Sequence, residues 1–246
     1  MINIENLKQL MKDITPRVLE IYNSDLDVQF KSDNSPLTEA DLYVNTEVCK
    51  FLEKNYNYPI LSEEGKNIDF KIREEWNTFW LIDPIDGTKE FVKKNGEFTV
   101  NIALIENNIP IFGLIYIPVS GILYYGSKEG SFKGSLNSET FERLPNTKTK
   151  VKTFVASRSH MSEDTKKYIE SFNCEKEIVA VGSSIKLCLV AEGSADIYPR
   201  FGPTMEWDIA AGHAIVNGAG KNVKDLEDKE MVYNKENLLN SFFIVN

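Results

Sequence analysis

Two aspartates three residues apart, in Asp83-Pro84-Ile85-Asp86-Gly87-Thr88, end a run, Phe79-Trp80-Leu81-Ile82, that is apolar enough to be a buried strand. Burying an unpaired carboxylate is strongly unfavourable, so something must meet these groups where the strand ends. Pro84 fixes its own φ and Gly87 permits a sharp bend, which holds both acids near one rigid turn. Two like charges there repel unless a cation lies between them. Hard divalent ions such as Mg²⁺ take carboxylate, carbonyl and water oxygens. The turn offers Asp83, Asp86 and the Ile85 carbonyl, with the Thr88 hydroxyl beside them. Spacing alone therefore suggests a metal site.

Further carboxylates stand at the ends of predicted strands or the starts of predicted helices: Asp41, Glu63-Glu64 and Asp208. Each also has a structural explanation. Thr38 and Asp41 fit a capping box, and Asp208 can cap a helix that begins at Ile209. Glu63 and Glu64 read equally well as solvated loop residues. His213, in mid-helix among alanines, reads as a satisfied core histidine.

The elements that must position these acids follow from periodicity. Ile4, Leu7, Met11, Ile14 and Val18 recur at steps of three and four, an amphipathic helix that Pro16 kinks or ends early. The polar loop KSDNSPLTEAD leads to a second helix lined by Leu37, Val44, Val48, Phe51 and Leu52. YPILSEEG reads as a short strand ending in acids, and residues 76–82 as another. FTVNIALI, PIFGLIYI and GILYYGS then form an antiparallel meander. Beyond Pro145, strands at VKTFVASR, KEIVAVG and ADIYPRF alternate with helices at DTKKYIESF, SIKLCLVAEG and WDIAAGHAIVNG, which predicts a lobe of mostly parallel strands. The division expected is a metal-site lobe over 1–145 and a smaller substrate lobe over 146–246, joined as one compact unit.

Composition limits the partners. The 246 residues carry a formal charge of −9, which disfavours a nucleic-acid polymer. A small anion is not excluded, because a metal ion inverts the local field. Residues 109–126 approach the length of a membrane span, but Pro110, Pro118 and Gly121 divide them into two strands, and no transmembrane segment is expected. Cys49, Cys174 and Cys188 are odd in number and scattered, which fits a reducing cytoplasm, with the protein either free or resting on the inner face of the membrane.

Together LSEEG (61–65), DPIDGT (83–88) and WDIAAGHA (207–214) resemble the lithium-sensitive, magnesium-dependent phosphatases typified by inositol monophosphatase. Within that family, DGTKEFVKKNGEFTVNIALI, KSDNSPLTEAD, VGSSIKLCLVAEG and YPRFGPT are similar to the bacterial 3′(2′),5′-bisphosphate nucleotidase group. The resemblance implies a layered α/β sandwich (αβαβα) and a Mg²⁺ site of two or three ions. Glu63, Asp83 and the Ile85 carbonyl would hold one ion, and Asp83, Asp86 and Asp208 a second. It assigns Asp41 and Thr88, with Glu63, to activation of the nucleophilic water. Substrate contacts would come from Glu63, Ile85, Asp86, Gly87, Thr88 and Asp208 around the phosphate, and from His160, Ser183, Lys186 and Arg200 around the nucleotide. The implied reaction removes the 3′-phosphate of adenosine 3′,5′-bisphosphate, giving AMP and phosphate, in sulfur assimilation. Inositol monophosphate or fructose bisphosphate as substrate, or a non-catalytic nucleotide or metal sensor, are the competing readings. Ser183-Ser184-Ile185-Lys186 also fits the S-x-x-K of penicillin-interacting enzymes, but a following K-T-G is absent.

Overall fold

In a computed structural model, residues 2–24, 29–30, 36–65, 68–158 and 161–246 are described. His160 and residues 31–35, the start of KSDNSPLTEAD, lie outside them. Helix α1 spans Ile4–Asn23, followed by the two-residue strands β1 (Gln29–Phe30) and β2 (Pro36–Leu37) and helix α2 (Glu39–Asn55). Strands β3 (Ile60–Ser62) and β4 (Thr78–Asp86) flank a short α3 (Phe70–Arg73), and α4 (Thr88–Val92) follows directly. Then come β5 (Thr99–Glu106), β6 (Ile109–Ile117), β7 (Ile122–Ser127), β8 (Gly130–Ser135) and β9 (Glu142–Arg143). The remainder is β10 (Lys152–Ser157), α5 (Glu163–Glu170), β11 (Lys176–Val181), α6 (Ile185–Glu192), β12 (Tyr198–Arg200), α7 (Glu206–Gly218), β13 (Val223–Asp225) and β14 (Phe243–Val245).

Strands β3 to β9 make one seven-stranded sheet in sequence order, antiparallel except for the β3–β4 pair. Its two faces explain the unbroken apolar run in β4. Alternate residues of a strand point to opposite faces. Trp80 and Ile82 pack with Leu7, Met11, Val44 and Val48 of α1 and α2, while Phe79 and Leu81 pack with Leu187, Ala211 and Ile215 of α6 and α7. The same alternation recurs in β10, where Val155 faces the α6–α7 core and Phe154 joins Ile169 of α5 and Ile197. Helices, sheet, helices, smaller sheets and helix thus stack in the expected αβαβα order.

The structure corrects four details. Of the two effects expected of Pro16, a kink or an early end, the early end is excluded: α1 runs through it to Asn23, and Thr15 Oγ1 donates to the Met11 carbonyl one turn back, at 2.5 Å. Leu37 lies in β2, before the helix it was expected to line. Strand β4 continues through Asp86, because the β4–β5 register shifts between Asp83 and Asp86 and Pro84, which has no N–H to donate, falls within that shift. The later part of the chain is only partly parallel: β10 and β11 pair in parallel, whereas β12, β14 and β13 form an antiparallel sheet.

Candidate active site

Strand β4 carries Asp83 and Asp86 out of the core on the edge of a cavity of about 350 Å³, which Glu63, Ile85, Gly87, Thr88, Ser183, Lys186, Arg200 and Asp208 also line. Five chain segments supply the acids and bases. Glu63 begins a 3₁₀ turn that continues β3, beside β4 in parallel register. Gly87, at φ +88°, occupies the left-handed region that lets β4 turn at once into α4, and Thr88 is the first residue of that helix. Asp208 is the third residue of α7, which begins at Glu206, three residues before the expected start. Ser183 and Lys186 come from the β11–α6 turn and Arg200 from the end of β12. Glu64 does not line the cavity.

Asp41 and Asp208 each close a helix start and also stand at the site, Asp41 beside Thr88 and Asp208 on the cavity. Asp41 Oδ2 accepts from the Thr38 N–H at 2.8 Å and from the Thr38 hydroxyl at 2.5 Å, closing the start of α2. Its Oδ1 lies 3.4 Å from the Thr88 hydroxyl, which is also 3.2 Å from the Ile85 carbonyl. In α7, Asp208 Oδ2 accepts from the Met205 N–H at 2.9 Å. The capping reading and the chemical reading therefore coexist on the same side chains.

Asp83 has no such structural duty. It is 1% exposed, and its Oδ1 is buried with no hydrogen-bond partner. Burial raises its pKa well above the usual carboxylate range, reinforced by the charges of Glu63, Asp86, Asp208 and Asp41. Burial likewise pushes Asp208 up to about 8, with Asp86 adding to it and the Met205 N–H opposing. Asp86 is raised only to about 6, because Lys186 and the Ser184 backbone counter the burial. Among the described residues, no three His, Cys, Asp or Glu side chains close into a metal-sized cluster. Glu63, Asp83, Asp86 and Asp208 instead line one cavity together. An orphaned, buried carboxylate oxygen amid four other acids, all with hard oxygen donors, fits a divalent cation such as Mg²⁺.

Lys186 lines the same cavity from α6. Its ammonium donates to the Ser183 and Val181 carbonyls and lies 5.6 Å above the Tyr198 ring. Burial lowers its pKa to about 8, with Asp86 pulling the other way. Arg200 donates from Nη2 to the Pro203 carbonyl at 2.9 Å, while its buried Nε has no partner. Ser184 was missed in the sequence: its hydroxyl lies 2.8 Å from both Asn101 Oδ1 and the Thr99 hydroxyl, tying the β11–α6 turn to β5. The doubled serine at 183–184 was its only visible signal. His213 sits elsewhere, buried, with Nδ1 2.9 Å from the Tyr233 hydroxyl.

Residues 3–242 match the Inositol monophosphatase family. The chain is 39% identical over 98% of both sequences to the 3′(2′),5′-bisphosphate nucleotidase CysQ of Escherichia coli K12. It is 44% identical to the CysQ of Buchnera aphidicola, covering 90% of this chain and 83% of that protein. The crystal structure of CysQ from Bacteroides thetaiotaomicron, described as a bacterial member of the inositol monophosphatase family, superposes with a TM-score of 0.85 at 43% identity, covering 97% of this chain and 96% of that one. With sequence and fold in agreement, the chain belongs to the inositol monophosphatase family.

Proposed function

We propose that this protein is a Mg²⁺-dependent 3′(2′),5′-bisphosphate nucleotidase, which hydrolyses the 3′-phosphate of adenosine 3′,5′-bisphosphate to give AMP and phosphate in sulfur assimilation. The observation that carries this reading is one cavity lined both by the acids Glu63, Asp83, Asp86 and Asp208 and by the cations Lys186 and Arg200. A phosphate ester with a second phosphate suits both sets of groups at once. The name shared by the CysQ relatives supports the same substrate class.

Glu63, Asp83, the Ile85 carbonyl, Asp86 and Asp208 would hold Mg²⁺, which when bound neutralises phosphate charge and lowers the pKa of water. The chain's own groups do the rest. Thr88 donates its hydroxyl hydrogen toward Asp41, which leaves its oxygen lone pairs to accept a proton from the attacking water, with Asp41 as the final base. Thr38 fixes the Asp41 carboxylate, so the pair is oriented before substrate arrives. Glu63, which lines the same cavity as Thr88, would assist in holding that water. Gly87 and Asp86 border the transferred phosphate. Lys186 and Arg200, with the Ser183 hydroxyl, pair with the remaining phosphate and sugar. His160 joins this set by resemblance. The 5′-phosphosulfate analogue is a second substrate of the same shape. The unpaired Cys49, Cys174 and Cys188 suit a reducing cytoplasm, and among the described residues no helix is long and apolar enough to cross a membrane.

The test is phosphate release from adenosine 3′,5′-bisphosphate, inositol 1-phosphate and fructose 1,6-bisphosphate, with Mg²⁺ and with added Li⁺. Preference for the nucleotide, dependence on Mg²⁺ and inhibition by Li⁺ are expected. Preference for either sugar phosphate refutes the nucleotidase assignment. No turnover of any of the three with Mg²⁺ favours a sensor.

A further inference from the structure

We infer that Glu97 is a positioning residue, whose carboxylate holds the Gly182–Ser183 turn against the Gly87 turn and so sets where Ser183 and Lys186 stand relative to Asp83 and Asp86 in the cavity. Glu97 lies between α4 and β5, outside the acid cluster. Its carboxylate collects three segments. Arg158, just after β10, grips it with two bonds, Nε to Oε2 and Nη2 to Oε1, each 2.7 Å. The Gly182 N–H donates to the same Oε2 at 2.8 Å. Arg158 also donates from Nη2 to the Ala180 carbonyl at 2.7 Å, so the guanidinium braces the strand leading into the turn.

The turn held in this way is packed against the metal-site side. A Cβ on Gly182 would lie 2.7 Å from Glu90 Cγ and 3.0 Å from the Glu97 carbonyl, and one on Gly87 would lie 3.2 Å from Ser183 Cβ. Ser183 itself takes φ +47°, a conformation that a side chain rarely adopts unless its surroundings impose it. Lys186 donates back to the Ser183 carbonyl, so the direction of its ammonium follows the turn. Displacing Gly182 therefore displaces Ser183 and Lys186 together. Arg158 is half-exposed, with 48% of its side chain accessible, so solvent screens its charge, and the Gly182 N–H is the carboxylate's bond toward the cavity. The geometry points to placement as the role of the pair. It also gives a use to the Gly96-Glu97-Phe98 segment, which the reaction itself does not involve.

The substrate arm of the test rests on the nucleotidase reading; the exchange arm does not. Glu97→Ala and Glu97→Gln are made in the full chain, with amide hydrogen exchange followed through residues 180–186 and KM and kcat measured with adenosine 3′,5′-bisphosphate and Mg²⁺. Glu97→Ala is expected to speed exchange at Gly182 and Ser183 and to raise KM by about tenfold, the scale of a lost hydrogen bond to a charged group, with kcat within about twofold. Gln keeps a carbonyl that can accept from Gly182, so it restores part of both effects. A merely structural role would lower the melting temperature without separating KM from kcat. Unchanged exchange at Gly182 in Glu97→Ala, or unchanged KM, overturns the inference. Should Glu97→Ala not fold, Arg158→Ala carries the same two readouts. A wild-type protein inactive on the bisphosphate counts against the nucleotidase reading alone, while exchange still decides the role of Glu97.

Discussion

Replacing Asp83 with asparagine should make the metal-free protein more stable and catalytically dead. Asp83 is 1% exposed, its Oδ1 has no partner, and Glu63, Asp86, Asp208 and Asp41 all raise its pKa. An unsatisfied buried polar atom costs about 1–3 kcal/mol, more when charged, and removing the charge relieves repulsion as well. Taking about 1–3 kcal/mol as the net gain, and about 2 °C per kcal/mol for a chain of this length, the melting temperature in EDTA should rise by about 2–6 °C. Mg²⁺ binding only to the folded state stabilises wild type by RT ln(1 + [Mg²⁺]/Kd), about 2.7 kcal/mol at a hundredfold excess over Kd. That increment should disappear in Asp83→Asn. The assay is thermal unfolding of both proteins with EDTA and across a Mg²⁺ series, alongside phosphate release. A metal-free variant no more stable than wild type, or one that Mg²⁺ stabilises just as strongly, would falsify the idea that this carboxylate is held in place for a cation.

Thr88→Ala should retain Mg²⁺-dependent stabilisation and lose about a hundredfold or more in kcat, the range for general acid–base groups; unimpaired turnover removes Thr88 from the mechanism. Lys186→Met should raise KM for adenosine 3′,5′-bisphosphate by about tenfold or more while raising KM for 3′-AMP far less, since only the former carries the second phosphate; equal losses count against the pairing. His213 supplies a pH prediction. Burial lowers its pKa to about 4, which outweighs the half-exposed Glu230 carboxylate 3.6 Å from Nε2. The unfolded chain then binds a proton that the folded chain refuses. Stability is complete above about pH 6.5 and falls as pH drops toward 4, by about 3 kcal/mol from this residue. Urea unfolding of wild type and His213→Gln between pH 7 and 4 should show a shallower decline in the variant, and parallel curves would refute the assignment.

Much of the site was legible because its chemistry is written in short segments. The apolar run before Asp83 announced a strand buried on both faces, and packing against α1–α2 on one side and α6–α7 on the other is the cause of that run. Thr38 and Asp41 announced a helix start, and Trp207-Asp208 another, though α7 begins at Glu206 because Asp208 bonds back to the Met205 N–H from the third position. What was hidden depends on partners distant in sequence. Pro84 looked like the end of a strand, and only a shifted register with β5 shows why β4 can pass through it. The three-residue strands β13 and β14 carry too little pattern to stand out, and β14 is placed by pairing on both sides with β12 and β13. Glu97 offered no local sign at all, because Arg158 and Gly182 reach it from 61 and 85 residues away.

The helix-closing bonds of Asp41 and Asp208 bear on how such a scaffold would age. An acid that closes the first turn of a helix stays useful after hydrolysis has been given up, so a descendant lineage could carry both residues long after its last turnover. Asp83 enjoys no such protection. Its strand would be more comfortable with an amide, and once selection for chemistry relaxed it would be among the first to drift. Retired members of this lineage should be sought at residue 83, and intact helix-closing acids should not be taken as proof of a working enzyme.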